Sequence, residues 1–211
     1  MAVNCTKDGH VAIVSFSRPP HNFADLALIE TIGAAFDALD ADRDIRAIVL
    51  RSEGRVFCAG ADLVRANPVA EERPAGERNP FYVAAAKLFG VTKPVVAAVL
   101  ERIVGKQRAL TMLLTGRRIG GGQAHEWGLV DQLVAPSALD EAALALAREI
   151  ATGAPLAVRS TRATLRGDLA RLVAEATDHE LAEQAWLQKT GDFAEGVRAV
   201  NERRPGRFTG E

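Results

Sequence analysis

The apolar positions of the chain fall into two kinds of pattern. Val11–Ser17 (VAIVSFS) and Ala47–Ser52 (AIVLRS) are short runs rich in β-branched residues, which predicts strands. Between them Leu28, Ile32, Phe36 and Leu39 recur at helical spacing, which predicts a helix over 28–39 with one apolar face. The first part of the chain is therefore expected to be a strand, helix, strand unit. Pro19 and Pro20 end the first strand, and Asp25 is placed to cap the helix.

Beyond Ser52 the pattern is broken by EGRVFCAGADL, read as a turn with a helix start near Asp62. Residues 65–80, rich in charge, Pro and Gly, predict a mobile surface loop. A short helix over 81–90 follows. Pro94–Val99 is then a continuous apolar run, the pattern of a strand covered on both faces. It runs straight into a helix signal around Lys106–Leu110.

The second half predicts helices throughout. Ser137 to Asp140 has the form of a capping box, and Leu139, Ala143, Leu146 and Ile150 repeat at helical spacing. Gly153 and Pro155 divide that helix from the next, Asp168 is placed as a further cap, and Asp192 with Glu195 opens a last helix. No internal repeat or low-complexity segment interrupts this order.

Composition narrows the function classes. With 211 residues, one domain is the default. Twenty-six basic against 27 acidic side chains give a formal charge of -1, so nothing favours nucleic acid or an anionic membrane as partner. Cys5 and Cys58 form neither a disulfide framework nor a zinc pattern, and His10, His21 and His179 have no ligand or triad spacing. The start of the chain lacks the basic and apolar regions of a secretory leader, and no apolar run reaches the ~18 residues of a membrane span. The expectation is a soluble, cytoplasmic protein without a metal.

The local motif richest in chemistry is Phe57-Cys58-Ala59-Gly60-Ala61-Asp62. Gly60 permits a tight backbone turn, and a helix starting near Asp62 would leave the Ala61 amide free and pointing outward, a donor for an oxyanion. On local grounds alone, such a turn is more often a plain connection than a site.

Its surroundings change the weighting. IRAIVLRSEGR, FCAGADL, KPVVAAV, RIVGKQRALTMLLTGRRI, EWGLVDQLV and EGVRAVNERRPGRFTG, in this order and over nearly the whole chain, resemble the crotonase family, the enoyl-CoA hydratases and isomerases. The resemblance implies an α/β fold of the ClpP/crotonase type, a β/β/α superhelix with a helical C-terminal region. It implies a core over 1–136 and a trimerisation region over 137–211, forming one structural unit. It also implies a homo-oligomer, trimer or hexamer, that binds acyl-CoA thioesters with no prosthetic group. The Ala61 N–H is then the first oxyanion-hole donor, and Arg18, Ala59, Gly60 and Asp62 lie by the coenzyme A nucleotide. Arg203 matches a basic position facing the coenzyme A phosphate, often from a neighbouring subunit, although Val200 replaces a common aromatic residue one turn earlier. A solvated basic helix end, favoured by the dipole, accounts for Arg203 equally well.

One part of the family pattern is missing. In typical members the strand matching KPVVAAV leads to a glycine run carrying the second oxyanion donor, and then to acidic catalytic residues. Here Val99 is joined directly to Leu100, the start of a phrase that family members reach several tens of residues later. The expectations are impaired hydratase or isomerase activity or, in a different class, a catalytically silent coenzyme A-binding or subunit-interaction protein. No substitute for the missing part is found. Gly120–Gly122 reads as a linker, Glu101 as a surface residue, His125 and Glu126 as solvated on a short helix, and Cys58 as a small packed side chain.

Overall fold

The computed structural model of the protein describes residues 2–54, 56–62, 78–92 and 103–211. The Val99–Leu100 junction, the Pro94–Val99 strand expectation, Glu101 and most of the loop expected over 65–80 lie outside these residues.

Strands β1 (Ala2–Asp8), β2 (Val11–Ser17) and β3 (Ala47–Ser52) form a sheet in the order β1-β2-β3. β1 pairs antiparallel with β2, with Asp8 opposite Val11 across a tight turn in which Gly9 has φ +56°. β2 pairs parallel with β3, with Val11 opposite Ala47. A parallel pair needs a crossover, and helix α1 (Leu26–Ala41) supplies it. Asp25 caps α1 as expected, its Oδ1 accepting from Leu28 N at 2.9 Å. β1 was not expected: only Val3 packs on the core, its residues from Asn4 to Lys7 are exposed, and as an outer strand it needs no apolar run of its own.

Strand periodicity divides the core into two layers. Ala12, Val14, Phe16 and Ile48 point to one face, where they meet Leu28, Ile32, Phe36 and Leu39 of α1. Val11, Ala47 and Val49 point to the other, where Ala147 and Ala151 of helix α5 (Leu139–Thr152) cover them. Of the expected stripe, Ala143 and Ile150 pack partly buried against this layer while Leu139 is exposed, and the most deeply buried contacts are those of Ala147 and Ala151, whose small side chains let the helix approach the strands.

Helix α2 (Pro80–Leu88) starts on Asn79, a buried side chain whose Oδ1 accepts from Phe81 N, so the last residues of the expected loop belong to a helix start. Helices α3 (Lys106–Thr115), α4 (Gly121–Glu126), α6 (Pro155–Arg166), α7 (Leu169–Leu187) and α8 (Gly191–Asn201) complete the described elements, with a single 3-10 turn over Pro136–Ala138. α2 packs on α1 and α7, tied to α7 by a two-pronged Arg78–Asp178 pair. Arg166 donates to Phe89 O at 2.9 Å, and Arg162 donates to Val91 O, so α6 grips the carbonyls just beyond the end of α2. Desolvation, followed by repulsion from Arg166, brings Arg162 down to about 10.

Three expected caps differ. The 3-10 turn runs directly into α5, so Ser137 caps nothing and Asp140 pairs instead with Arg51 at 2.6 Å. Asp168 precedes α7, but its carboxylate pairs with Arg171 rather than the backbone. Thr190 caps α8, accepting from Phe193 N at 3.1 Å. Asp192 and Glu195 are thereby released to hold the tail. Gly121 and Gly122 form the first turn of α4 rather than a linker, with His125 and Glu126 exposed on that helix as expected.

Candidate functional site

The segment 18–24, which joins β2 to α1, and the segment 53–62, which follows β3, meet beside the end of the parallel pair. Asn22 makes the first link. It is 3% exposed, has φ +53°, and its Oδ1 accepts from Arg18 N at 2.6 Å. Its Nδ2 donates to Glu53 O at 2.8 Å and Val56 O at 2.7 Å. Asn is among the few side-chain residues that adopt positive φ readily, and here the amide uses both donors and its oxygen across the two segments.

Next along the turn, Ala59 N donates to His21 O at 3.1 Å. Ala24 and Ala61 form an isolated parallel bridge, in which Ala24 N donates to Gly60 O and Asp62 N donates to Ala24 O, both at 2.8 Å. Such a bridge uses the groups flanking Ala61, so the N–H of Ala61 itself points to the opposite side. It has no hydrogen-bond partner among the described residues. Gly60, with φ +103°, supplies the bend before it. The expected helix start at Asp62 cannot be followed, because residues 63–77 lie outside the described set.

Arg18 makes a second link. Its guanidinium donates to Phe23 O at 2.8 Å and pairs with Asp25 at 2.8 Å and Asp62 at 3.2 Å. Asp25 uses its other oxygen to cap α1, so one carboxylate joins the helix start to the Arg18 network. The Asp62 side chain is buried and that of Arg18 largely so. The charges of Arg18 and Asp62 thus face each other across the two segments and reinforce the bridge.

Of the residues singled out in the sequence, Arg18, Ala59, Gly60, Ala61 and Asp62 are brought together. Ala59 and Gly60 are exposed, Ala61 is half-buried, and Phe57 lies edge-to-face on Phe16 at 5.3 Å with an outward surface. Cys58 is exposed, not packed, because the turn carries it to the solvent side. His10 is engaged with Asp44 O at 2.7 Å. Among the described residues no group of three or more His, Cys, Asp or Glu could hold a metal ion. Asn22 escaped notice in the sequence, although an Asn between a proline pair and a capped helix is the available signal.

Arg203 is elsewhere. It is exposed at the end of α8 with φ +54°, and among the described residues no hydrogen bond or ion pair joins residues 191–211 to the Ala61 turn. The tail instead folds onto α8. Arg204 grips Glu195 at 2.5 Å and 3.1 Å, Arg207 N donates to Glu195 at 2.9 Å, and Thr209 N and Gly210 N donate to Asp192. Hydrogen bonds from Arg204 and then from the Arg207 backbone hold the Glu195 carboxyl at about 2.

The arrangement can present one backbone donor from a held turn, a means of binding a carbonyl or oxyanion. Comparison with known proteins gives this arrangement a family. The enoyl-CoA hydratase/isomerase family model matches residues 6–100 and 77–211, two stretches that overlap between 77 and 100. A provisionally named enoyl-CoA hydratase of Thermus thermophilus is 31% identical, with 95% of this chain and 98% of that protein covered. The (E)-benzylidenesuccinyl-CoA hydratase of Thauera aromatica is 30% identical with both chains fully covered. That alignment runs over 265 positions against the 211 residues of this chain, a difference of 54.

In structure, an enoyl-CoA hydratase/isomerase from Pseudoalteromonas atlantica superimposes with a TM-score of 0.80 at 21% identity, covering 99% of this chain and 100% of that one. The fold is that of the crotonases, and the chain belongs to the enoyl-CoA hydratase/isomerase family.

Proposed function

We propose that this protein binds acyl-CoA thioesters at the Ala61 turn, with the Ala61 N–H donating to the thioester oxygen. The single observation that carries the reading is that this N–H faces away from the Ala24 bridge and is unpaired among the described residues. The exposed Ala59 and Gly60, with the Arg18–Phe23 segment behind them, form the side on which the nucleotide portion lies. Arg18 and Asp62 contribute by bracing that side. Arg203 meets the coenzyme A phosphate from a neighbouring subunit, a reading supported by its having no link to the turn among the described residues of its own chain. Residues 1–136 act as the core and 137–211 as the region of subunit contact, in a cytoplasmic trimer or hexamer. The exposure of Leu156, Leu165 and Val200, large apolar side chains within 137–211, supports such contact.

Catalysis of hydration or double-bond isomerisation is impaired under this reading. The 54-position shortfall and the two-part family match support a loss at the Val99–Leu100 junction, which removes the second donor glycine and the proton-handling carboxylates. Losing one oxyanion donor costs ~10² to 10³ in turnover, and losing a positioned acid or base ~10² to 10⁴. The same shortfall favours a second reading, a silent coenzyme A-binding or subunit-interaction protein. Hydration of crotonyl-CoA separates the two: turnover near ~10 per second, an ordinary enzymatic rate, defeats the silent reading and the impairment together.

Calorimetry with coenzyme A and acetyl-CoA tests binding itself, and no heat from either at millimolar concentration ends the proposal. Ala61→Pro removes the N–H, while the two bonds to Ala24 are made by Gly60 O and Asp62 N and not by Ala61 itself. It should weaken acetyl-CoA and leave coenzyme A unchanged. Equal affinity of wild type and variant for acetyl-CoA counts against the donor role.

A further inference from the structure

We infer that Asn22 is a positioning residue for the Ala61 donor, setting the direction of an N–H that it does not touch. The inference rests on the proposed role of that N–H at the thioester. Asn22 has three features that ordinary loop residues lack together. It is almost fully buried, its backbone is in the left-handed region, and both ends of its side-chain amide are used.

The consequence follows from where its bonds go. Glu53 O and Val56 O are held by one NH₂ group, and Val56 O also accepts from Ser52 Oγ at the longer distance of 3.3 Å. Ala61 lies five residues beyond Val56. Beyond Val56, the Ala59 N–His21 O bond and the Gly60 and Asp62 bonds to Ala24 tie the backbone of the turn to the 18–24 segment, and Arg18 pairs with Asp62. The backbone bonds anchor the turn to residues 21 and 24, which flank Asn22 in sequence. Asn22 therefore fixes both partners of the bridge: it sets the backbone of 18–24 through its own φ and the Arg18 N bond, and it sets the entry to 56–62 through its NH₂ group. Arg18 and Asp62 fix the exit. With the entry released, the bridge can slide or rotate as a unit, and the Ala61 N–H rotates with it.

Two variants separate this role from ordinary stabilisation. Asn22→Asp keeps the acceptor for Arg18 N but loses both donated bonds and sets carboxylate oxygen against two carbonyls. Asn22→Gly keeps access to φ +53° but loses the whole side chain. The first readout is the residual dipolar coupling of the Ala61 N–H in ligand-free protein, compared with couplings in β2 and α1. The expected result is a changed Ala61 coupling with those of β2 and α1 retained. An unchanged Ala61 coupling in a folded variant, even one with a lower melting temperature, overturns the inference. Asn22→Gly provides the decision if Asn22→Asp fails to fold.

The second readout is the ratio of acetyl-CoA to coenzyme A affinity. Partial unfolding or a disturbed nucleotide contact lowers both affinities alike, whereas a misdirected Ala61 N–H lowers only that of the thioester. The ratio should fall about two- to tenfold, the worth of one hydrogen bond. A ratio equal to that of wild type overturns the positioning role. If wild type binds neither ligand, the thioester reading fails, and the dipolar couplings still decide whether Asn22 directs the Ala61 amide.

Discussion

Adding one methyl group to a glycine should have opposite effects at two places in this chain. Gly60 has φ +103°, and a Cβ built there meets no heavy atom within 4 Å. The cost of Gly60→Ala is therefore backbone strain without steric clash, about 1–3 kcal/mol. If the backbone instead relaxes to negative φ, the bonds of Gly60 O and Asp62 N to Ala24 are disturbed. Two hydrogen bonds at about 0.5–1.5 kcal/mol each give a loss of the same size. Gly122 is equally uncrowded, but it lies in the first turn of α4 without positive φ. There the same methyl group restricts the unfolded chain and should stabilise by up to about 1 kcal/mol. Urea unfolding followed by far-ultraviolet circular dichroism, at one fixed protein concentration because association shifts the midpoint, measures both variants. The midpoint should fall for Gly60→Ala and hold or rise for Gly122→Ala, with unchanged slopes. Equal midpoints for Gly60→Ala and wild type refute the argument from backbone conformation.

Two further outcomes test other parts of the molecule. The Glu195 carboxyl, held at about 2 in the folded chain against an ordinary 4.5, contributes stability that is complete above about 4.5 and is lost as pH falls from there towards 2. The Arg207 amide resonance, followed through acid titration, should move with a midpoint near 2. A midpoint at the ordinary carboxyl value contradicts the Arg204 grip. Phe36→Ala empties a site that is 2% exposed between α1 and the sheet, and should cost about 3–5 kcal/mol in the same urea assay. A loss under about 1 kcal/mol would mean that this layer is not closely packed.

The sequence by itself determined whatever short-range chemistry controls. The spacing of Leu28, Ile32, Phe36 and Leu39 is a property of one helix, and all four are buried together. β2 and β3 announced themselves through β-branched side chains, and Asp25 through its position before the helix. The ordered phrases along the chain carried the family. β1 left little apolar trace because an outer strand needs little, Asp168 stands at the start of α7 as expected but gives its carboxylate to Arg171, and the caps expected for α5 and α8 were misplaced. Asp192 illustrates the difficulty: its choice between capping α8 and holding Thr209 and Gly210 depends on a tail that returns from 17 residues away.

The candidate site divides in the same manner. The FCAGAD phrase marked Ala61, but the direction of its N–H depends on Ala24, 37 positions earlier, and the clasp depends on Asn22 meeting Glu53 and Val56. Pairings across such separations are decided only once α1 has crossed the sheet and set the two segments side by side. Tertiary structure likewise set Ala147 and Ala151 of α5, more than ninety residues beyond β3, at the centre of the second face of the sheet, because only packing reveals that these small side chains are the ones buried against Val11, Ala47 and Val49, with Leu144 and Ile150 at their side.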